Sequence, residues 1–382
     1  MQGRDKILAA FEPEGSSDIG AVACYDGIFL RDHWRALTNV SWWHAWSGVK
    51  EEEDAWVGDY QKNCGLDWLT VKPCRPRVDR PHMRYQRRDN GVWALNTQTG
   101  DETRLTEPIP GGPNTPSAAS KYTLFDSPPE TRSEIDRLVP IAHPFDADAF
   151  RGRGQQDTSV GIRESTELLT YGHVASPLWG LYNTLGYEWM MVFLAEDPGL
   201  AAYAGRRLLS LSVERIKLIE TMGADAVWIE ECLTDQISPK LFGDLNVPLV
   251  RRCVEEIHDR GMKSIYYYCG NPHDRLDLIL DCGADAIHFE ETKKNFTIDI
   301  ENVVDQVDGR CVVFGNIDAI DLLPNGSRDE LELEIRRQIR AGRRNGGRFV
   351  LSTGSPITPG TSVGRVRFYT DTARTIARRE GE

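Results

Sequence analysis

Eight short strand-like runs alternate with helix-patterned stretches along this 382-residue chain. They are Ile19–Cys24, Trp68–Val71, Leu168–His173, Ala226–Ile229, Lys263–Tyr268, Ala286–Phe289, Cys311–Phe314 and Arg348–Leu351. That alternation predicts a parallel sheet covered by helices, and eight units predict a (β/α)8 TIM barrel. Between Ala202 and Met222, Leu208, Leu209, Val213, Ile216 and Ile219 fall on one helical stripe. Gly223 closes that helix as a glycine C-cap does. Gly-Ala-Asp-Ala occurs at 223 and again at 283, each time leading from helix to strand.

The segment from about 73 to 160 breaks the rhythm between the second and third runs. Val92–Leu95 and Thr103–Leu105 flank Thr99-Gly100-Asp101, the pattern of a β-hairpin. An insertion this long in a compact barrel is expected to reach over the barrel mouth or form a subunit contact. The reading is one barrel over 1–382 carrying that insertion. Arg75, Arg77, Arg80, Arg84, Arg87 and Arg88 crowd its start. They suit a solvated basic loop or a clamp for carboxylate or phosphate.

A net charge of −13 argues against nucleic-acid and anionic-membrane partners. No apolar run approaches the roughly 20 residues of a membrane span, and the N-terminus has no apolar signal core. Eight cysteines scattered without a CxxC pair suit reduced thiols and a cytoplasmic location.

Barrel chemistry sits at the carboxyl ends of strands. Cys269 stands at such an end, in Tyr266-Tyr267-Tyr268-Cys269-Gly270-Asn271. Glu230 and Glu231 end the preceding strand, and His288 and Glu290 end the following one, sharing a face opposite Phe289. Glu230, Cys269 and His288 are ligand types zinc accepts. Each also has a plain structural use: a helix cap or ion pair for the glutamates, a core position for Cys269 and His288. Tyr171 and His173 offer a hydrogen-bond donor and a general base. Tyr25, Asp26, His33, Trp42, Trp43, His44 and Trp46 follow the first strand. They suit a packed lid or an aromatic wall for a ring-bearing ligand.

Tyr267-x-Cys269-Gly270-Asn271 resembles the His-x-Cys-Gly-Asn segment of the uroporphyrinogen decarboxylase superfamily, which includes zinc- and corrinoid-dependent methyltransferases. Gly186-Tyr187-Glu188, Glu196-Asp197-Pro198, Ser238-Pro239-Lys240-Leu241-Phe242, Gly315-Asn316-Ile317-Asp318 and the loop from Ser352 to Thr361 resemble further family segments in the same order. The hairpin insertion is similar to one in the methyltransferase branch. The resemblance implies a metal site of His and two Cys, but Tyr267 replaces the His and Ser355 the second Cys. The decarboxylases' Gln-Ala-Gly-Arg signature is missing.

The expectation is therefore a methyltransferase that moves a methyl group from a small O- or N-methylated compound to a corrinoid carried by a partner protein. Glu230, Glu231, Tyr267 and His173 are its catalytic candidates. Trp43, His44, Asn271, Asn316 and Tyr171 are candidates for substrate binding, and Cys269, His288 and Glu230 for a metal, with zinc the candidate cofactor. A homodimer is the expected assembly. A decarboxylase or another metal-independent lyase, and a non-catalytic binding member, are the alternatives.

Overall fold

The computed structural model describes residues 3–45, 47–112, 127–293 and 295–381. Eleven strands occur among them: β1 (Ala21–Val22), β2 (Trp68–Thr70), β3 (Met83–Arg88), β4 (Gly91–Asn96), β5 (Glu102–Leu105), β6 (Leu169–Ala175), β7 (Ala226–Cys232), β8 (Lys263–Cys269), β9 (Ala286–Phe289), β10 (Val312–Phe314) and β11 (Phe349–Ser352). Eight form one parallel sheet in the order β1-β11-β10-β9-β8-β7-β6-β2. Helices alternate with them, so the sheet curls into a nearly closed TIM barrel. The seam between β1 and β2 is held by the Asp67 N–H donating to Ala21 O (2.9 Å) and the Trp68 indole donating to Ala23 O (3.0 Å).

One device sets the strand register three times. An aspartate just ahead of a strand accepts the N–H of a residue in its neighbour: Asp67 from Ala21 (2.8 Å), Asp225 from Thr170 (3.0 Å) and Asp285 from Ser264 (2.8 Å). The two Gly-Ala-Asp-Ala turns thus end in register pins. Each satisfies a buried donor that a slipped strand would leave unpaired.

The lumen is solid. The helix Gly3–Phe11 plugs its amino end with Ile7, Ala10 and Phe11. Above it the Trp68 and Tyr171 rings lie 4.4 Å apart, and Trp228 stacks on Tyr267 at 4.6 Å. Each such pair contributes about 0.5–1.5 kcal/mol beyond its buried area. The outward strand faces pack against the helices in a second, larger core.

The insertion differs from its expected form in one respect. Met83–Arg88 is a strand rather than a basic loop, so β3, β4 and β5 make a three-stranded antiparallel sheet. The arginines there are engaged by the protein itself. Arg77 and Arg80 both reach Asp157, Arg88 grips Glu102, and Arg87 lies 5.8 Å over the Trp43 ring. The helix expected from Ala202 begins earlier, at Pro198. Asp197 caps it by accepting from the Leu200 N–H (2.8 Å), and a proline fits the first turn because it needs no donor there.

Candidate functional site

Above the aromatic layer the barrel opens, at the carboxyl ends of its strands, into a cavity of about 1240 Å³. Trp228 and Tyr25 form part of its lining, with Trp42, Trp179 and Leu30 on its walls. Pro108 and Ile109 from the insertion and Pro359 from the last rim loop line it as well.

Parity along the strands decides who faces this space. On β7, Ala226 and Trp228 join the lumen cluster and Glu230 lines the cavity. Its neighbour Glu231 points the other way, because successive side chains alternate. Glu230 is the centre of a polar set. Its Oε2 lies 2.9 Å from His173 Nε2, and the Tyr25 hydroxyl donates to its Oε1. Burial opposes ionisation of Glu230, but His173, Tyr25 and Trp179 outweigh it and hold the pKa below the usual carboxylate range. Tyr25 reaches this position from a left-handed backbone (φ 51°, ψ 54°), where β1 turns into the helix Asp26–Leu37. That conformation costs a bulky residue about 1–2 kcal/mol and is typical of functional turns.

A second polar set faces the same cavity. Asp26 accepts from the Tyr171 hydroxyl (2.5 Å) and the Thr70 N–H (2.8 Å). Burial raises its pKa to about 6 against the pull of these bonds and of Lys72. Lys72 and Arg215 also line the space. His33 donates from Nδ1 to Phe29 O (3.0 Å), which leaves its buried Nε2 without a partner among the described residues.

Several expected site residues lie elsewhere. Glu231 is fully buried behind β7, where it accepts from Asn246 Nδ2 (2.7 Å) and the Tyr266 hydroxyl (3.2 Å). Asn246 is placed there by a π turn, Phe242–Asn246, in the helix beside β7. Tyr267 is buried, and its hydroxyl donates to Gly354 O (3.0 Å). His288 lies in the lumen, with the Trp228 indole donating to Nδ1 (3.4 Å) and Nε2 3.0 Å from Thr353 O. Asn316 Nδ2 bonds Glu290 O and Ile298 O, tying two rim loops together. Asn271 accepts from the His273 N–H within its own turn, and its N–H donates to Asp235. His44 pairs with Glu52 (2.7 Å) and Trp43 packs under Arg87, neither lining the cavity. Trp46 lies outside the described residues.

The expected metal set is not brought together. Among the described residues, no group of three or more His, Cys, Asp or Glu could hold a metal ion. Glu230 is taken up by His173 and Tyr25, and His288 by the lumen. Cys269 faces Cys232 across β7 and β8, and that contact, with burial, pushes the Cys232 thiol pKa up. Ser355, where the family pattern has cysteine, accepts from Lys293. The described residues do not bring together a donor set that fits zinc.

Lys72, Arg215, Trp179 and Trp228 went unrecognised in the sequence. Parity from Trp68 points to Lys72, and parity from Glu230 to Trp228. No local signal marks Arg215, which reaches the cavity from the helix Pro198–Thr221.

A barrel with acid–base side chains gathered around a deep cavity at its strand ends has the layout that barrel enzymes use for chemistry. The sequence profile of the uroporphyrinogen decarboxylase (URO-D) family matches residues 124–376, more than half of the chain. The chain belongs to the uroporphyrinogen decarboxylase family. No curated protein matches it. Among solved structures it is similar to a methyltransferase from Methanosarcina mazei, with a TM-score of 0.62 and 15% identity over 98% of each chain. An L-ribulose 3-epimerase is more distant, with a TM-score of 0.40 and 14% identity over 66% of this chain and 93% of its own. At 15% identity the likeness to the methyltransferase shows the fold alone. Among the described residues no helix is long and apolar enough to cross a membrane.

Proposed function

We propose that this chain is a cytoplasmic methyltransferase that removes a methyl group from a small O- or N-methylated compound, working with a corrinoid protein. The observation that carries the reading is the Glu230–His173–Tyr25 set at the edge of a 1240 Å³ cavity. That volume exceeds what a small ligand fills, which leaves room for the edge of a partner's macrocycle. A corrinoid bound there by its own protein supplies the nucleophile that accepts the methyl group.

The chain's own residues then have one chemical task. The oxygen or nitrogen that loses its methyl gains electrons and must be protonated. His173, held against the ionised Glu230, delivers a proton from its ring to that atom, and Tyr25 orients Glu230. General acid catalysis of this kind is worth about 10²–10⁴-fold. No step requires zinc, in keeping with the ligand set. The insertion, through Glu107–Pro110, forms part of the substrate enclosure, and a homodimer is the proposed assembly.

The test mixes the protein with a reduced corrinoid protein and a panel of methoxylated and N-methylated donors, and follows methylated corrinoid by absorbance. Transfer that survives dialysis against a strong zinc chelator is expected. A protein that methylates no corrinoid but releases carbon dioxide from a carboxylated substrate would overturn the reading. It would favour a lyase, for which the Asp26–Tyr171 pair beside Lys72 is the supporting feature.

A further inference from the structure

Lys72 and Arg215 come from distant parts of the chain, the end of β2 and a helix packed outside the barrel, yet both line the cavity. They are close enough for Arg215 to lower the Lys72 pKa, after the larger effect of burial, while Asp26 raises it. Arg215 itself is drawn below the usual arginine range by the protein around it. A guanidinium remains charged at neutral pH all the same. Both side chains keep exposed surface, which opens on the cavity. Asp26 can balance one of the two charges. No described residue hydrogen-bonds or ion-pairs with Arg215. Two like charges lining one cavity, with one carboxylate acting on Lys72, leave a local positive surplus facing that space. Such a surplus is stabilised when an anion enters.

The surroundings narrow the anion further. Trp179, Trp228, Trp42 and Trp34 line the same cavity, so the ligand's body meets flat apolar surface. The guanidinium fork suits the two oxygens of a carboxylate.

We propose that Lys72 and Arg215 form an anion-anchoring subsite, and that the substrate is a ring compound carrying a carboxylate. The anchored carboxylate fixes which end of the molecule reaches His173 and Glu230. This rests on the methyl-transfer reading only for the identity of the reacting group. The subsite itself is tested by binding alone.

The probes are 4-methoxybenzoate and its neutral isostere 4-methoxybenzamide, titrated into the full-length protein while tryptophan fluorescence is followed. The acid is expected to bind about tenfold or more tightly than the amide, the weight of one charge-assisted hydrogen bond. Arg215→Gln should erase that preference and leave amide binding unchanged. Lys72→Met should reduce the preference by a smaller factor, because Asp26 already answers Lys72. Inorganic phosphate should displace the acid only at far higher concentration. Failure of the acid to bind, equal binding of acid and amide, or a preference intact in both variants would each overturn the subsite. Displacement by equimolar phosphate would show a bare anion hole and overturn the ring-carboxylate assignment. No corrinoid is present, so a protein that binds the acid but transfers no methyl group keeps the subsite and loses only the transfer reading.

Discussion

Glu230 and Glu231 are neighbours on one strand, and they live in opposite worlds. Glu230 faces the cavity, where His173, Tyr25 and Trp179 hold it ionised. Glu231 faces the outer core, where burial dominates and raises its pKa to about 7 despite Asn246, Ser176 and Tyr266. The same side chain is a charged partner on one face of β7 and close to half-protonated on the other. The lesson is that a pair of carboxylates at a strand end does not make an acid–base pair. The pleat separates them, and each takes its chemistry from what it packs against.

The widest break in that comparison is expected in turnover. Glu230→Gln keeps the shape but leaves His173 without its counter-charge. Methyl transfer should fall about 10²–10⁴-fold, the range of general acid–base catalysis. The melting temperature at neutral pH should fall too, because the stabilising ionisation of Glu230 is lost. Glu231→Gln should transfer at nearly the wild-type rate. Rates measured side by side decide it, and equal losses in the two variants would dissolve the distinction between the faces.

Stability against pH should separate the same pair with opposite signs. The pKa of Glu231 is raised on folding, from an ordinary value of 4.5 to about 7. The folded state therefore holds its proton where the unfolded chain has lost it. The stability this lends is complete below pH 4.5 and is lost as pH rises through 7. Glu230 has a lowered pKa, so its contribution is present above the ordinary value and is lost as pH falls through the folded one. Glu231→Gln should flatten the decline between pH 5 and 8, leaving the variant about 1–3 kcal/mol more stable than wild type at pH 8. Urea denaturation at four pH values measures it. A variant curve parallel to wild type would show that Glu231 is ionised at its outer site after all.

These two faces also mark the limit of what could be read from the chain. All eight barrel strands are legible, because parallel strands covered on both sides are runs of apolar residues bounded by turns. That double burial erases the alternation that would reveal which residues point inward. Val227, Trp228, Ile229, Glu230 and Glu231 are all buried, so nothing local tells the last two apart. His173 and Tyr171, proposed from their place at a strand end, share one parity and both line the cavity. Asn271 and Asn316 sit at strand ends, but their amides are spent on rim loops, a use that depends on contacts far along the chain. Arg215 was out of reach for the same reason: a surface position on an outer helix becomes a cavity position only once the helix is docked. The β3 strand was hidden by its arginines, whose partners, Trp43 for Arg87 and Glu102 for Arg88, lie elsewhere in the sequence.

Trp42 and Trp43 repeat the Glu230–Glu231 contrast on a smaller scale. They adjoin in a short 3₁₀ turn, with their rings edge to face at 5.6 Å. Trp42 lines the cavity. Trp43 is half-buried under Arg87 and beside His44, and does not line it. Stacking of a ring compound on Trp42 is worth about 0.5–1.5 kcal/mol. Trp42→Leu should therefore weaken binding of an aromatic ligand about two- to tenfold by the same estimate and leave folding nearly intact. Trp43→Leu removes a cation–π contact of about 0.5–1 kcal/mol. It should lower the melting temperature slightly and leave the dissociation constant where it was. Calorimetric titration with 4-methoxybenzoate, paired with thermal melts of both variants, reads the two effects separately. If Trp43→Leu weakens binding and Trp42→Leu does not, the ligand lies against the insertion rather than over Trp228. The wall of the cavity would then have to be drawn on the other side of this turn.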